Sequence, residues 1–256
     1  MGFLFNEIVY RPLYNLLIFV YNTLSFHDFG LAIIIVTILI KLALLPLSKK
    51  QIESQKKMQE LQPKIKEIQE KYKKDKEKQS KALMEFYKTN KTNPFSGCLP
   101  TIFQLVFLIA IYRVLFNISK MGLLVDPKEL YLFIPNPGQI NQYFLGLVDL
   151  SKTINFGHLS VGSFFQIMLI VAAAVAQYFQ IKMIMPAKPK TASATPDLAS
   201  TMSTQMMYLG PLLTLFIGVK FPTGLALYWL VSTVFAIMQQ KKLIKNPALR
   251  PGTQIK

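Results

Sequence analysis

The chain has 256 residues, of which 52% are hydrophobic, and a formal net charge of +16. Its 29 Lys and Arg residues are concentrated in blocks between long apolar runs, a pattern that indicates membrane topology and not a nucleic-acid-binding surface. Cys98 is the only cysteine, which excludes a disulfide framework and a paired-cysteine metal site.

The first part of the chain predicts an interfacial helix, a membrane span and a cytoplasmic hairpin. Residues 1–29 mix apolar and polar side chains around Pro12, which favours an extracytoplasmic amphipathic helix interrupted at that proline. Residues 30–47 form the first predicted transmembrane helix. The polar segment 48–93 predicts two helices joined near Lys74 and Asp75, with a bend at Pro63; the alternative is a solvated charged linker.

The rest of the chain predicts four more spans, since about 20 mostly apolar residues cross about 30 Å of hydrocarbon. In chain order we expect a second transmembrane helix at 94–116, an extracytoplasmic loop at 117–158, a third helix at 159–185, a cytoplasmic loop at 186–204, a fourth helix at 205–219, a fifth at 222–240 and a basic cytoplasmic tail at 241–256. The predicted fold class is therefore an all-α membrane protein with five transmembrane helices.

The distribution of basic residues predicts the orientation. Fourteen lysines lie between Ser48 and Lys91, whereas Arg11 is the only basic residue before the first span. Because Lys and Arg accumulate in cytoplasmic loops, the N-terminus is expected outside, and the hairpin and C-terminal tail inside.

Catalytic patterns are missing from the sequence. No Asp or Glu lies within a predicted span, and His27 and His158 are isolated. A Gly-x-x-x-x-Gly-Lys-Ser/Thr phosphate loop is absent as well. We therefore expect neither an enzyme, nor a cofactor, nor a bound metal.

Lys41 is the exception, because a cation inside a span costs roughly 2.5–3.5 kcal/mol and is therefore a functional candidate. Counting back from Ser48 along a straight helix places it about 10 Å inside the cytoplasmic boundary. The alternative is a lysine that snorkels to the headgroups. The other spans carry polar residues that could line one groove with Lys41, although each alone could simply hold helices together; they are Thr37, Gln104, Gln166, Gln177, Thr214, Tyr228, Ser232 and Thr233.

A hydrated cationic groove of this kind, open to the cytoplasm, would hold acidic or polar stretches of an entering chain without nucleotide hydrolysis. An apolar slide for the incoming helix is expected at Leu105, Phe107, Leu108 and Ile111, which could equally face lipid. The rival hypotheses are a small-anion transporter that uses Lys41 as its binding site and a structural ribosome anchor.

A resemblance to a known family is carried by three stretches, GLAIIIVTILIKLALLPLSKKQ at 30–51, MQELQPKIKEIQEKYKKDKEKQSKALMEFYKTNKTNPFSGCLP at 58–100 and FPTGLALYWLVSTVFAIMQQ at 221–240. Together they resemble the YidC family of membrane protein insertases, in the short form without a large extracytoplasmic domain. In that family an arginine usually stands at the position of Lys41.

The resemblance implies a bacterial plasma membrane protein with five core helices around a groove open to the cytoplasm. It further implies the insertion and chaperoning of nascent membrane proteins, independently of or together with the Sec translocon. The ribosome is an expected partner of the basic tail or the hairpin, and anionic lipids would attract the same tail.

Overall fold

The computed structural model describes residues 2–93, 99–157, 160–184 and 198–244, and this part of the chain is predominantly helical. The N-terminal helix is built from α1 (Phe3–Phe5), a π-helical turn (Asn6–Tyr10) and α2 (Arg11–Thr23). The later elements are α3 (Phe29–Ala43), α4 (Leu45–Lys71), α5 (Lys76–Thr89), α6 (Leu99–Lys120), β1 (Tyr143–Phe144), β2 (Val148–Asp149), α7 (Val161–Ile184), α8 (Leu198–Lys220) and α9 (Thr223–Ile244). Most of the predicted loop at 186–204 and of the tail at 241–256 lies outside the described residues.

The N-terminal helix is continuous through Pro12, so the predicted interruption at this residue is wrong. Proline lacks a backbone donor and crowds the carbonyl four residues earlier, which here belongs to Ile8. The π-helical turn contains Ile8 and widens the helix there, with a bond from the Arg11 amide to the Asn6 carbonyl. With 21 residues and a mean hydropathy of 1.2, the helix would be long and apolar enough to span, so its interfacial position stays a prediction.

Helix α3 is shorter than the predicted first span. Asp28 caps its start by accepting a hydrogen bond from the Leu31 amide at 2.9 Å. The axis then bends by 66° between α3 and α4. Pro46 explains the break, because it cannot donate to the carbonyl of Leu42 and its ring crowds that group. Residues 45–47 therefore belong to α4, and α3 alone rises about 22 Å.

Helices α4 and α5 form the segment predicted as a hairpin. Pro63 lies inside α4, and Asp75 caps the start of α5. The turn at 72–75 joins the two helices, and the Gln79 amide donates to the Gln69 carbonyl at 2.6 Å across it. The segment is helical as expected, whereas its place relative to a membrane stays a prediction.

Helix α9 lies at the centre of the bundle. It packs against α3 and α7, and α7 packs in turn against α8. The described residues contain three helices that are long and apolar enough to cross a membrane, Phe3–Thr23, Ile102–Lys120 and Val161–Met183, or up to four if the bent α3–α4 pair is one span. Met207–Lys220 is a shorter apolar helix. The fold class of an all-α membrane protein is confirmed, and the number of five spans stays a prediction.

The segment between α6 and α7 is folded, although the sequence predicted only a loop. Strands β1 and β2 pair antiparallel around a tight turn in which Leu145 and Gly146 have φ angles of 53° and 69°. Phe144 presses on α3 at Gly30, where a Cβ would lie 2.2 Å from the Phe144 Cδ2 atom. Strands of two residues are too short to show the alternation of apolar and polar residues by which a strand is predicted.

Candidate functional site

The structure brings Lys41 together with polar side chains from two other helices. The Lys41 Nζ atom of α3 donates to the Gln104 Oε1 atom of α6 at 3.2 Å. The Ser232 hydroxyl of α9 donates to the same oxygen at 3.0 Å. One amide oxygen therefore joins three helices, and we call Lys41, Gln104, Ser232 and Tyr228 the lysine cluster.

Tyr228 completes the lysine cluster from one turn earlier on α9. Its side chain is buried, and its hydroxyl lies near Ser232 and Gln104. The Gln104 Nε2 atom is also buried and has no hydrogen-bond partner among the described residues. Because buried amide donors are normally paired, this one is open to a water molecule or to a polar group of another chain.

The bend after α3 changes the expected position of Lys41. The depth of about 10 Å assumed a straight helix as far as Ser48. In the structure Lys41 lies in the last turn of α3, only two residues before its end at Ala43. A cation there also interacts favourably with the free carbonyls of the helix C-terminus. The expected depth of Lys41 therefore stays a prediction.

The other predicted groove residues lie outside the lysine cluster. Thr37 is buried and donates to the Ile33 carbonyl of its own helix at 2.6 Å. The Thr214 hydroxyl of α8 donates to Gln177 of α7, which forms a separate polar contact between these helices. Thr233 is buried beside Ser232 in sequence.

Gln166 lies at the opposite end of α7 from Gln177, because eleven helical residues span about 16 Å. Its amide donates to the Asp149 carbonyl of β2 at 2.9 Å. This contact holds the folded segment onto α7. Four of the nine predicted groove residues are therefore together in the structure, and the contribution of the others to substrate contact stays a prediction.

A second polar contact, which the sequence did not predict, lies closer to the predicted hairpin. The Gln239 amide of α9 donates to the Ser48 hydroxyl of α4 at 2.5 Å, and Gln51 and Gln240 are buried. The spacing carried a partial signal, because Gln239 follows Ser232 by two turns of α9, whereas the bend between α3 and α4 separates Ser48 from Lys41. A polar seam thus follows the junction of α3 and α4 with α9.

The predicted apolar slide is wrong for two of its residues. Leu108 and Ile111 are buried in the core, since their sides of α6 face the other helices. Exposed apolar side chains instead follow one side of α7 at intervals of three and four residues; they are Val161, Phe164, Met168, Val171, Val175 and Phe179. This periodicity is typical of a helix face that contacts lipid or another apolar helix.

Within the described residues no group of three His, Cys, Asp or Glu side chains is placed to hold a metal ion. The lysine cluster consists of one amine, one amide and two hydroxyls. These groups can bind a carboxylate or a peptide group by charge and hydrogen bonds.

Apolar helices packed around a polar cluster that contains a lysine define the chain as an all-α membrane protein. The profile of the 60Kd inner membrane protein family matches residues 19–248, and the chain belongs to this family.

Three relatives show how far the similarity extends. Membrane protein insertase YidC 2 of Bacillus anthracis is 32% identical over 251 residues, which cover 96% of this chain and 83% of that protein. Membrane protein insertase YidC of Fusobacterium nucleatum is 33% identical over 243 residues, covering 94% and 98%. Membrane protein insertase YidC of Beijerinckia indica is 32% identical over 249 residues, which cover 94% of this chain but 37% of that protein. The resemblance predicted from sequence motifs is therefore confirmed, and the chain is a bacterial membrane protein.

Proposed function

We propose that this chain is a membrane protein insertase and chaperone whose lysine cluster receives polar segments of nascent membrane proteins. The names of the relatives support the function. The observation that carries the mechanism is the hydrogen bond from Lys41 to Gln104. It holds a charged amine between three helices with only a neutral amide oxygen as its acceptor.

Exchange of hydrogen-bond acceptors is the first step of the proposed mechanism. A carboxylate of an entering chain displaces the neutral Gln104 oxygen from Lys41, because charge-assisted hydrogen bonds are about twice as strong as neutral ones. The Gln104 Nε2 atom is then available to the backbone of the same segment. A single contact at about 4 Å is worth at most about 4 kcal/mol at an effective dielectric constant near 20, so the segment is released without nucleotide hydrolysis.

The proposed topology places the N-terminus outside and the C-terminus inside, with α3, α6, α7, α8 and α9 as the five core helices around a groove open to the cytoplasm. The lysine-rich α4–α5 segment faces the cytoplasm, in line with the excess of basic residues in cytoplasmic loops. This segment and the basic tail at 241–256 are the contacts proposed for the ribosome and for anionic lipids. Cooperation with the Sec translocon is part of the same proposal.

Reconstitution tests the function. Proteoliposomes that contain only the purified chain should insert a small single-span client without nucleotide. Specific anion flux without insertion would overturn the proposal in favour of a transporter. An absence of both activities would also overturn it, for a chain whose helicity in the same vesicles is intact.

A matched pair of clients tests the role of Lys41. The two clients differ only in an acidic or a neutral translocated segment. Lys41→Ala should lower insertion of the acidic client by about tenfold, equivalent to about 1.4 kcal/mol, and spare the neutral one. Lys41→Arg should retain activity. Lys49→Ala is the control, because Lys49 is exposed and paired with Glu53 at 4.0 Å. Equal loss for both clients would contradict the proposed charge contact.

A further inference from the structure

One stretch of the folded segment, residues 129–135, lies along the N-terminal helix, and we call this stretch the strap. The Asn15 amide donates to the Glu129 carbonyl at 2.8 Å, and its Oδ1 atom accepts from the Tyr131 amide at 2.7 Å. Further along the helix, the Asn22 amide donates to the Pro135 carbonyl at 2.7 Å. Residues 129–135 therefore follow α2 side by side for about two turns.

These contacts argue that α2 lies at the membrane surface despite its apolar composition. The Tyr14 hydroxyl accepts from the Asp126 amide at 2.9 Å, which places the polar segment from Asp126 to Glu129 directly against the helix. Irregular, charged backbone exposed to lipid does not occur within the hydrocarbon core. If α2 crossed the bilayer, this segment would have to enter it as well.

The strap has two apolar side chains that contact little of the protein. Leu132 is fully exposed (107%) and Phe133 is 77% exposed. They form the tip of a turn in which the Ile134 amide donates to the Tyr131 carbonyl at 3.0 Å. Because both ends of the strap are fixed to α2, this tip is held in place and its exposure is a stable feature of the fold.

The N-terminal helix exposes apolar side chains as well, and Phe19 lies between the two asparagines that bind the strap. Ile8 lies in the π-helical turn and is 67% exposed, and Phe19 of α2 is 45% exposed. Phe19 is rotated only about 40° around the axis from Asn15, which binds the strap. We call these four exposed apolar side chains, Ile8 and Phe19 of the N-terminal helix and Leu132 and Phe133 of the strap, the outer surface patch.

We propose that the outer surface patch inserts into the extracytoplasmic leaflet, with Leu132 and Phe133 as a wedge among the lipid chains and exposed Lys128 at the headgroup phosphates. A phospholipid fits better than a protein partner, because the two wedge side chains are almost wholly exposed and the exposed Lys128 precedes them on the same segment. Apolar side chains with a basic neighbour on one face are typical of monotopic membrane contact. The strap thus extends the membrane contact of the N-terminal helix.

Spin labels at single cysteines test this proposal without an activity assay. In a chain with Cys98→Ser, Leu132→Cys and Phe133→Cys are labelled in nanodiscs of phosphatidylethanolamine and phosphatidylglycerol. Accessibility to oxygen and to a water-soluble nickel chelate is then measured. Both labels should favour oxygen, as should a label at the exposed Val171 of α7, whereas Gln139→Cys on the same segment should favour the nickel chelate.

Two results would overturn the inference. Labels at 132 and 133 with the nickel accessibility of Gln139 would place the wedge in water. Labels shielded only after a partner such as a purified Sec translocon is added would make the patch a protein docking surface. Neither result depends on whether the chain inserts clients, so the test is independent of the proposed function.

Discussion

Replacing Asn15 should destabilise the chain strongly, because this one side chain makes two hydrogen bonds to the strap. Asn15 is 1% exposed, donates to the Glu129 carbonyl and accepts from the Tyr131 amide. In Asn15→Ala the Tyr131 amide loses its acceptor, which costs about 1–3 kcal/mol for a buried donor. The Glu129 carbonyl also loses its hydrogen bond from Asn15 but keeps a weaker one from Arg11 at 3.4 Å. The loss of the Asn15 bond to this carbonyl therefore adds only about 1 kcal/mol.

The expected total of about 2–4 kcal/mol corresponds to a fall of about 4–16 °C in the unfolding midpoint for a chain of this size. The midpoint is measured in detergent by loss of helical circular dichroism at one fixed scan rate. Asn22→Ala is the matched control, because it removes a single, exposed bond to the strap and should cost about 1 kcal/mol or less. If Asn15→Ala unfolded no earlier than this control, the strap would not be held as described.

Two further predictions concern the same folded segment. Gly30→Ala should lower the unfolding midpoint although alanine favours helices, since its Cβ would overlap Phe144; a raised midpoint would contradict this contact. Burial tends to raise the pKa of Asp149, but hydrogen bonds from Ser151 and Lys152 outweigh it and hold that pKa below its usual value. Such a group stabilises the fold above its unfolded pKa, near 4, and loses this contribution as the pH falls further. Asp149→Asn should therefore be less stable at neutral pH and show a smaller decline in acid; an equal decline in both chains would refute the assignment.

Hydropathy located the long apolar helices α6 and α7, because a helix that crosses lipid requires a long apolar run whatever its packing. It did not predict where α3 ends. Pro46 is the local signal for that break, and one straight span at 30–47 is not compatible with it. The sequence could not predict that the N-terminal helix continues through Pro12. This continuity depends on a π-helical turn that the residue pattern does not reveal.

The membership of the lysine cluster was predictable only in part, for a physical reason. A helix that is apolar on nearly all sides does not reveal which way it is rotated in a bundle, so polar residues of different spans could not be sorted into separate contacts. Gln104 and Ser232 meet Lys41, whereas Gln177 meets Thr214 at another interface. The strap depends on bonds between residues more than 100 positions apart, which no local pattern encodes.

Replacing Gln104 by glutamate tests the proposed acceptor exchange more sharply than removing Lys41 does. In Gln104→Glu the side chain keeps its shape, but the acceptor of Lys41 becomes a carboxylate. A hydrogen bond to a charged group is worth roughly 1.5–3 kcal/mol against about 0.5–1.5 kcal/mol for a neutral one. The internal carboxylate therefore removes the advantage of about 1–1.5 kcal/mol that a client carboxylate has over the amide.

Insertion of the acidic client should consequently fall by about tenfold in Gln104→Glu, although Lys41 is still present. Ser232→Ala is the control, because it leaves the bond from Lys41 to Gln104 in place and should change insertion much less. The neutral client should be inserted normally by both variants. If Gln104→Glu inserted the acidic client at the original rate, the contact of Lys41 with Gln104 would only hold the helices together, and client charge would have to be recognised elsewhere.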